Sequence, residues 1–248
     1  MNPEELIAKA NNNDAEAMIE LTGYYADRQD WNEAIDWADK AADAGNSNGM
    51  YKAAALHNLR MSSLLKSGVP FWDLMKEDAR AVQKNAGVLL AACRNGMINL
   101  EDKIFSNLLG MFREALYCEA VICYADNSND YARALHLLKD VDTAREQTLC
   151  GLCYFELDQY DDAKRVLDTV YRDADYLSES KFFSEETIFS VAMLALSMLT
   201  RMDGNPDKAV MILNRTIEGL NDEDNKEQLC GELGKYQKKM FGGWKYAG

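Results

Sequence analysis

Apolar side chains recur along this chain at intervals of three and four residues. Cys150, Cys153, Tyr154 and Leu157 form one such stripe, Ala163, Leu167 and Val170 a second, and Leu229, Leu233, Tyr236 and Met240 a third. That spacing puts them on one face of an α-helix. Alternating β-branched stretches are nearly absent, so the pattern predicts an all-helical chain. Helices are expected over 3–26, 30–44, 47–66, 70–95, 100–125 and 222–240, with a further pair between Ala144 and Asp175. The three prolines, in Asn2-Pro3, Ser67-Gly68-Val69-Pro70 and Asn205-Pro206, each come after a candidate cap and precede an amphipathic run. Helices are expected to start at all three, where a missing N–H costs little. Between Glu186 and Arg201 the run Thr187–Thr200 is almost entirely apolar. A membrane span needs about 20 residues, so this run predicts a helix buried on all sides.

The same phrase returns along the chain. Ala15-Glu16-Ala17-Met18 leads through Leu21, Thr22 and Tyr25 to Lys40-Ala41-Ala42-Asp43-Ala44-Gly45-Asn46, and the chain restarts at Ser47. Tyr131-Ala132-Arg133-Ala134-Leu135 aligns with Tyr160-Asp161-Asp162-Ala163-Lys164, and Asn205-Pro206-Asp207-Lys208-Ala209 repeats that spacing, with room for an insertion around 175–186. A period in the low thirties signals stacked helical hairpins, none of which buries its apolar face alone.

Ala144 to Asp175 is the clearest unit, with Gln147, Cys150, Gly151 and Tyr154 on its first helix and Ala163, Leu167 and Val170 on its second. A small residue on each helix lets the two axes approach, and larger side chains fill the space beside them. Thr22, Tyr25, Ala34, Ala38 and Ala41 hold equivalent places near the start, as do Ser197, Thr200, Ala209 and Leu213 later. These residues resemble the tetratricopeptide-repeat superfamily, and the first stretch resembles its Sel-type subfamily. The resemblance covers more than half of the chain. It implies a right-handed α-solenoid of antiparallel helix pairs with a C-terminal capping helix. The expected segments are Sel-type hairpins over 1–68, an irregular helical connector over 69–110, tetratricopeptide-like repeats over 111–221, and a capping helix with a basic aromatic tail over 222–248, all in one continuous solenoid.

The formal charge is −14, from 41 acidic and 27 basic residues. Such a surface repels phosphate backbones, which disfavours nucleic-acid partners. Solubility explains the charge simply, and a preference for basic partners is the sharper expectation. Met1-Asn2-Pro3-Glu4-Glu5 lacks the basic start and apolar core of a signal peptide, so a cytoplasmic protein with six reduced cysteines is expected. No membrane association is expected.

Candidate chemistry is sparse. Cys150-Gly151-Leu152-Cys153 is the one CxxC, but its cysteines fall mid-helix on an apolar stripe, where thiols pack as small hydrophobes. A zinc site needs four ligands, and Cys118 and Cys123 lack the spacing of a second pair. His57 occupies the place of the repeat's aromatic and is expected to pack between helices, whereas His136 sits on a solvated face between Arg133 and Lys139. Asp36, Asp39 and Asp43 read as a solvated helix face. Glycine-rich phosphate loops are missing. The chain is therefore expected to be no enzyme and to need no cofactor or metal.

The tail differs from everything before it. Residues 234–248 hold four lysines and no carboxylate side chain, leaving 23 basic and 41 acidic residues, or −18, over 1–233. Gly242-Gly243 breaks the helix, and Trp244 and Tyr246 are then exposed unless docked. The ending is similar to one on some bacterial helical-repeat proteins. Two placements follow: the tail covers the last hairpin, or it docks in trans, giving a homo-oligomer or a contact with an acidic partner.

The resemblance implies a protein- or peptide-binding scaffold whose first helices line a concave groove. Matching positions are Arg145, Thr148, Leu152 and Phe155 in the clearest repeat and Val191, Leu194, Met198 and Arg201 in the next, with Trp244 and Tyr246 added from the tail. Leu194 and Met198 lie in the apolar run, which leaves burial as their competing placement. Two rivals stand beside the scaffold: a sensor whose curvature responds to a small molecule or peptide, and an enzyme with a site assembled across hairpins.

Overall fold

Short polar side chains set where helices begin. In the computed structural model, which describes residues 3–67, 71–126, 129–140, 143–172, 183–239 and 242–248, the Asp14 carboxylate accepts from the backbone N–H groups of Glu16 and Ala17. Asp130, Asn205 and Asp222 likewise accept from the amides of Arg133, Lys208 and Asn225. Thr143 and Glu146 close a capping box. Each satisfies an amide that the helix leaves orphaned, an arrangement worth about 1 kcal/mol. Among the described residues there are twelve helices and one two-stranded sheet.

The chain forms two compact units, Met1–Ile122 and Cys123–Gly248. The first is built from α1 (Pro3–Ala10), α2 (Ala15–Ala26), α3 (Trp31–Asp43), α4 (Ser47–Ser67), α5 (Trp72–Arg94) and most of α6 (Asp102–Ala125). The helix predicted over 3–26 is therefore two. Its apolar stripe continues across the gap, but Asn13 adopts φ of 67°, a left-handed conformation that asparagine tolerates, and Asp14 caps a fresh start. The helices predicted near 70–95 and 100–125 are present as α5 and α6. The start expected at Pro70 lies outside the described residues.

Turns of three or four residues fold α2, α3 and α4 back on one another, and their contact runs along alanines. Ala34, Ala38, Ala41, Ala53 and Ala54 are fully buried. Gly49 continues the line: a Cβ there would stand 2.6 Å from Ala41 Cβ and 2.7 Å from the Ala41 carbonyl carbon. Larger side chains fill both flanks, Leu21 and Trp37 on one side and Met61, Met75 and Val82 on the other.

The second unit contains α7 (Tyr131–Leu137), α8 (Ala144–Glu156), α9 (Tyr160–Arg172), α10 (Phe183–Met202), α11 (Pro206–Gly219) and α12 (Glu223–Leu233). The helix start expected at Pro206 is present. Gly151 and Ala163 mark the close approach of α8 and α9, where a Cβ on Gly151 would fall 2.5 Å from Leu167 Cγ. Ser197, Thr200, Ala209 and Leu213, the equivalent positions of the next pair, are all buried. In α10 the expected burial holds for Phe189, Ala192, Met193, Leu196 and Leu199, while Val191, Leu194 and Met198 keep partial exposure. The insertion expected around 175–186 falls largely outside the described residues.

The C-terminal segment corrects the expectation of one helix over 222–240. α12 ends at Leu233, and β1 (Tyr236–Lys238) pairs antiparallel with β2 (Trp244–Tyr246). Gly242 and Gly243, at φ of 88° and 75°, supply the reversal. Periodicity puts Tyr236 on a helical stripe with Leu229 and Leu233; it is buried instead from a strand, edge-on to Tyr246 at 5.2 Å. Met240 lies outside the described residues. α12 still caps the last helix pair, held partly by Glu186, whose carboxylate accepts from the amides of Asn221 and Asp222.

Filling the two glycines separates a rigid contact from a yielding one. Gly49→Ala is expected to destabilise the fold by about 1–3 kcal/mol, because Ala41 meets it with backbone. Gly151→Ala should cost less, since it meets the Leu167 side chain rather than backbone and alanine favours the helix. Urea denaturation followed by circular dichroism ranks the two; equal stability of Gly49→Ala and wild type refutes the close approach.

Candidate functional site

His57 stands on α4 where the repeat pattern places an aromatic, and it is buried as expected. What the pattern missed is its company. His57 Nδ1 lies 2.6 Å from Asp78 Oδ1 on α5, and Nε2 lies 3.1 Å from Asp39 Oδ2 on α3. One turn along α4, Arg60 donates to the same Asp78 through Nε at 3.0 Å and Nη2 at 2.6 Å. Asp78 is fully buried. Asp39 thus corrects its placement on a purely solvated face, and Asp43 beside it holds Lys84 at 2.8 Å. These partners are 18 to 21 residues apart in sequence, so no local motif announces them.

A ring with a carboxylate at each nitrogen is held as the imidazolium. Burial, the largest single influence, pushes the His57 pKa down, but the hydrogen bonds and charges of Asp39 and Asp78 together outweigh it and bring it up to about 9. With both nitrogens donating, the ring has no lone pair free to take a proton, so it is not a general base in this state. Its evident work is to tie three helices together.

Beside this chain of charges lies a groove of about 490 Å³, lined from the α3 side by Gln29, Asp30, Trp31, Asn32 and Ile35 and from α4 by Leu56, Leu59, Arg60 and Ser63. Trp31 and Leu59 are 44% and 54% exposed, large apolar surfaces to leave open on a helix pair.

In the second unit, α8 and α10, the first helices of successive pairs, pack side by side. Phe155 and Val191 each pack against one cluster, with Leu152 in its interior. Arg145 and Met198 are half-buried. Thr148 is fully buried and donates its hydroxyl to the Ala144 carbonyl at 2.7 Å, and Leu152 is buried too. Leu194 joins Trp244 and Tyr246 around Val210, Leu213 and Leu229. Arg201 stacks on the Tyr246 ring at 3.7 Å, and the Trp244 amide donates to Asp207 Oδ1 at 2.5 Å. Both tail aromatics therefore pack within the chain.

A second depression of about 430 Å³ between α7, α8 and α9 is lined by Lys139, Gln147, Cys150, Tyr154 and Arg165, among others. Burial pushes the Cys150 thiol up to about 11 and the Cys153 thiol higher still, which keeps both unreactive. Among the described residues no group of three or more histidines, cysteines and carboxylates converges as metal ligands, and no helix is long and apolar enough to cross a membrane.

No protein-family model matches the sequence, and no curated protein matches it. Among solved structures the chain is similar to YrrB, described as a TPR (tetratricopeptide-repeat) protein with an unusual peptide-binding site. That likeness covers 90% of this chain and 95% of the other at a TM-score of 0.50 and 15% sequence identity. The fold is of the tetratricopeptide helical-repeat type. At such low identity the likeness concerns the fold, which the helix pairs and their small-residue contacts already display.

His57 gives stability a definite pH dependence. Its pKa is about 9 when folded against 6.5 for the free side chain, so its contribution is complete below pH 6.5 and is lost as pH rises through 9. That contribution is on the order of 3 kcal/mol, one pKa unit being worth about 1.4 kcal/mol. Urea midpoints at pH 6, 7.5 and 9 should fall steadily for wild type and change far less over that interval for His57→Gln. Parallel curves would show that His57 is not held as a cation.

Proposed function

We propose that this protein is a non-enzymatic scaffold that binds a protein or peptide on the surface formed by α8 and α10. The observation that carries this is the pairing of two first helices side by side, with Arg145, Phe155, Val191 and Met198 partly open along them. A preformed surface of this kind binds without ordering itself first, and an extended or helical segment inserts side chains between the existing ones. The solved relative with a peptide-binding site supports the same reading. The net charge of −14 favours basic partners over nucleic acids, and the setting we infer is the cytoplasm. Thr148 and Leu152 support the surface from below. Arg201 and Leu194 are covered by the tail, so the open part of the surface lies toward Arg145 and Phe155. We infer Sel-like hairpins over 1–68 and tetratricopeptide-like pairs over 111–221.

Capture from native extract tests this. Proteins retained by the wild-type chain should be lost about tenfold or more with Arg145→Ala/Met198→Ser or with Phe155→Ala, as expected of binding hot spots worth above about 1 kcal/mol each. Unchanged circular dichroism separates loss of binding from loss of fold. Equal retention by all variants overturns the proposal. A co-purifying metabolite with no retained protein replaces it with the small-molecule sensor.

A further inference from the structure

Two turns in the second unit are built alike. Tyr124, in the last turn of α6, meets Tyr131 at the start of α7, with ring centroids 5.7 Å apart and ring planes at 55°. Phe155, in the last turn of α8, meets Tyr160 at the start of α9, at 5.7 Å and 52°. Tyr131 and Tyr160 open the aligned phrases of successive repeats, so the two pairs occupy equivalent turns. Neither pair stacks face to face, which leaves ring faces open to a third group. Tyr160 is 40% exposed, and Tyr124, Tyr131 and Phe155 are half-buried. Tyr124 and Phe155 pack on the same apolar cluster, so both turns lie on one flank of the unit.

The charges beside these rings are nearly all negative. The turns over 125–133 and 156–162 carry six carboxylates, Asp126, Asp130, Glu156, Asp158, Asp161 and Asp162, against the single cation Arg133. Arg165, further along α9, adds a second cation and is paired with Asp162 at 2.7 Å. Asp130 accepts from the Arg133 amide and Asp158 from the Tyr160 hydroxyl. Glu156 is exposed and makes no hydrogen bond or ion pair among the described residues. Burial, and after it the Glu156 charge, pushes the Tyr124 and Tyr131 hydroxyls above their ordinary range. At Tyr160 the hydrogen bond to Asp158 leads, and Glu156 adds a smaller push. α6 and α8 also end here, where a helix favours a cation, and neither has a basic residue in its last turn. Hairpin packing accounts for the rings. It does not account for a carboxylate and two helix ends left without a counter-charge.

We propose that Tyr124, Tyr131, Phe155, Tyr160 and Glu156 form a recognition site for a basic side chain, the lysine or arginine of a partner segment. The negative face of an aromatic ring attracts a cation, and the methylene stem of such a side chain covers apolar ring surface while its head reaches the carboxylate. An acidic segment is repelled by the same groups, and an uncharged one makes no use of Glu156. The site rests on the scaffold reading of α8 and α10, whose open end is Phe155, and assigns the chemistry of the residue bound beside it.

The test uses the full chain carrying 3-fluorotyrosine, with resonances assigned by Tyr124→Phe, Tyr131→Phe and Tyr160→Phe. The probe is the blocked peptide acetyl-Gly-Ser-Lys-Ser-Gly-amide, with Lys→Arg, Lys→norleucine and Lys→Glu versions. The Tyr124 and Tyr131 resonances should shift saturably at millimolar lysine or arginine peptide, and the norleucine and glutamate versions should bind at least fivefold more weakly. Glu156→Gln, at an exposed position, should weaken the lysine peptide at least fivefold without lowering the melting temperature. Tyr131→Phe, which keeps the ring, should bind as wild type when read on Tyr124, and Tyr131→Leu should not. Unmoved resonances, equal binding of the lysine and norleucine peptides, or undiminished binding by Glu156→Gln each overturn the proposal. Tighter binding of n-butylammonium than of the lysine peptide replaces the partner segment with a free amine. A failure here leaves the scaffold reading standing, because Arg145→Ala/Met198→Ser scores that reading from residues outside this cluster.

Discussion

Everything in this molecule depends on how closely two antiparallel helices can approach. A helix of a dozen residues with one apolar stripe is marginal in water, and its stability comes from laying that stripe against a neighbour. Where Ala38, Ala41 and Gly49, or Gly151 and Ala163, line the contact, backbones come near enough for Leu21, Leu167 and Ile212 to be wholly enclosed. Each pair then leaves an apolar flank for the next, and the unit grows by addition until something closes it. At the C-terminal end that closure is shared. α12 covers part of the last flank, and the hairpin covers more of it with Tyr236, Trp244 and Tyr246.

This economy leaves surfaces open by necessity. First helices carry their inward residues to the core and display whatever lies on the remaining arc. On α8 and α10 that arc holds Arg145, Phe155, Val191 and Met198. On the first helix α4 it holds Leu59 and Arg60, which face Trp31 at the start of the second helix α3. The two surfaces differ in kind. The first is a mixed helical face of the sort any repeat presents, whereas the second is backed by a buried chain of charges that orients one guanidinium. The groups best placed for acid–base work are already committed: His57 between two carboxylates and the central cysteines to packing.

Much of the fold was legible. The stripe Cys150, Cys153, Tyr154 and Leu157 predicts α8, and proline after asparagine predicts the start of α11. Small residues at Gly151, Ala163, Ala38 and Ala41 predict the close contacts. The misses share one origin. Tyr236 and Met240 extend the stripe of α12 in phase, so periodicity alone continues the helix, and only the pairing of Tyr236 with Tyr246 across a glycine turn decides for strands. Three successive asparagines broke the first helix, where the apolar pattern alone ran straight through. The candidate sites were less legible still. The family resemblance puts Thr148 and Leu152 on a groove, yet a shift of one face on a helix is enough to turn them inward, where both are buried.

The sequence by itself determined the all-helical class, the pairing of neighbouring helices and the places where those pairs touch, because each is written in spacings of three or four residues and in short turns. The tertiary structure alone decided that Asp39, His57, Asp78 and Arg60 form one chain of charges and that the tail aromatics find partners on α10 and α11. Those contacts join residues tens of positions apart through the interior. Periodicity reports which face of a helix is buried, but it carries no record of which residue on another helix that face will meet.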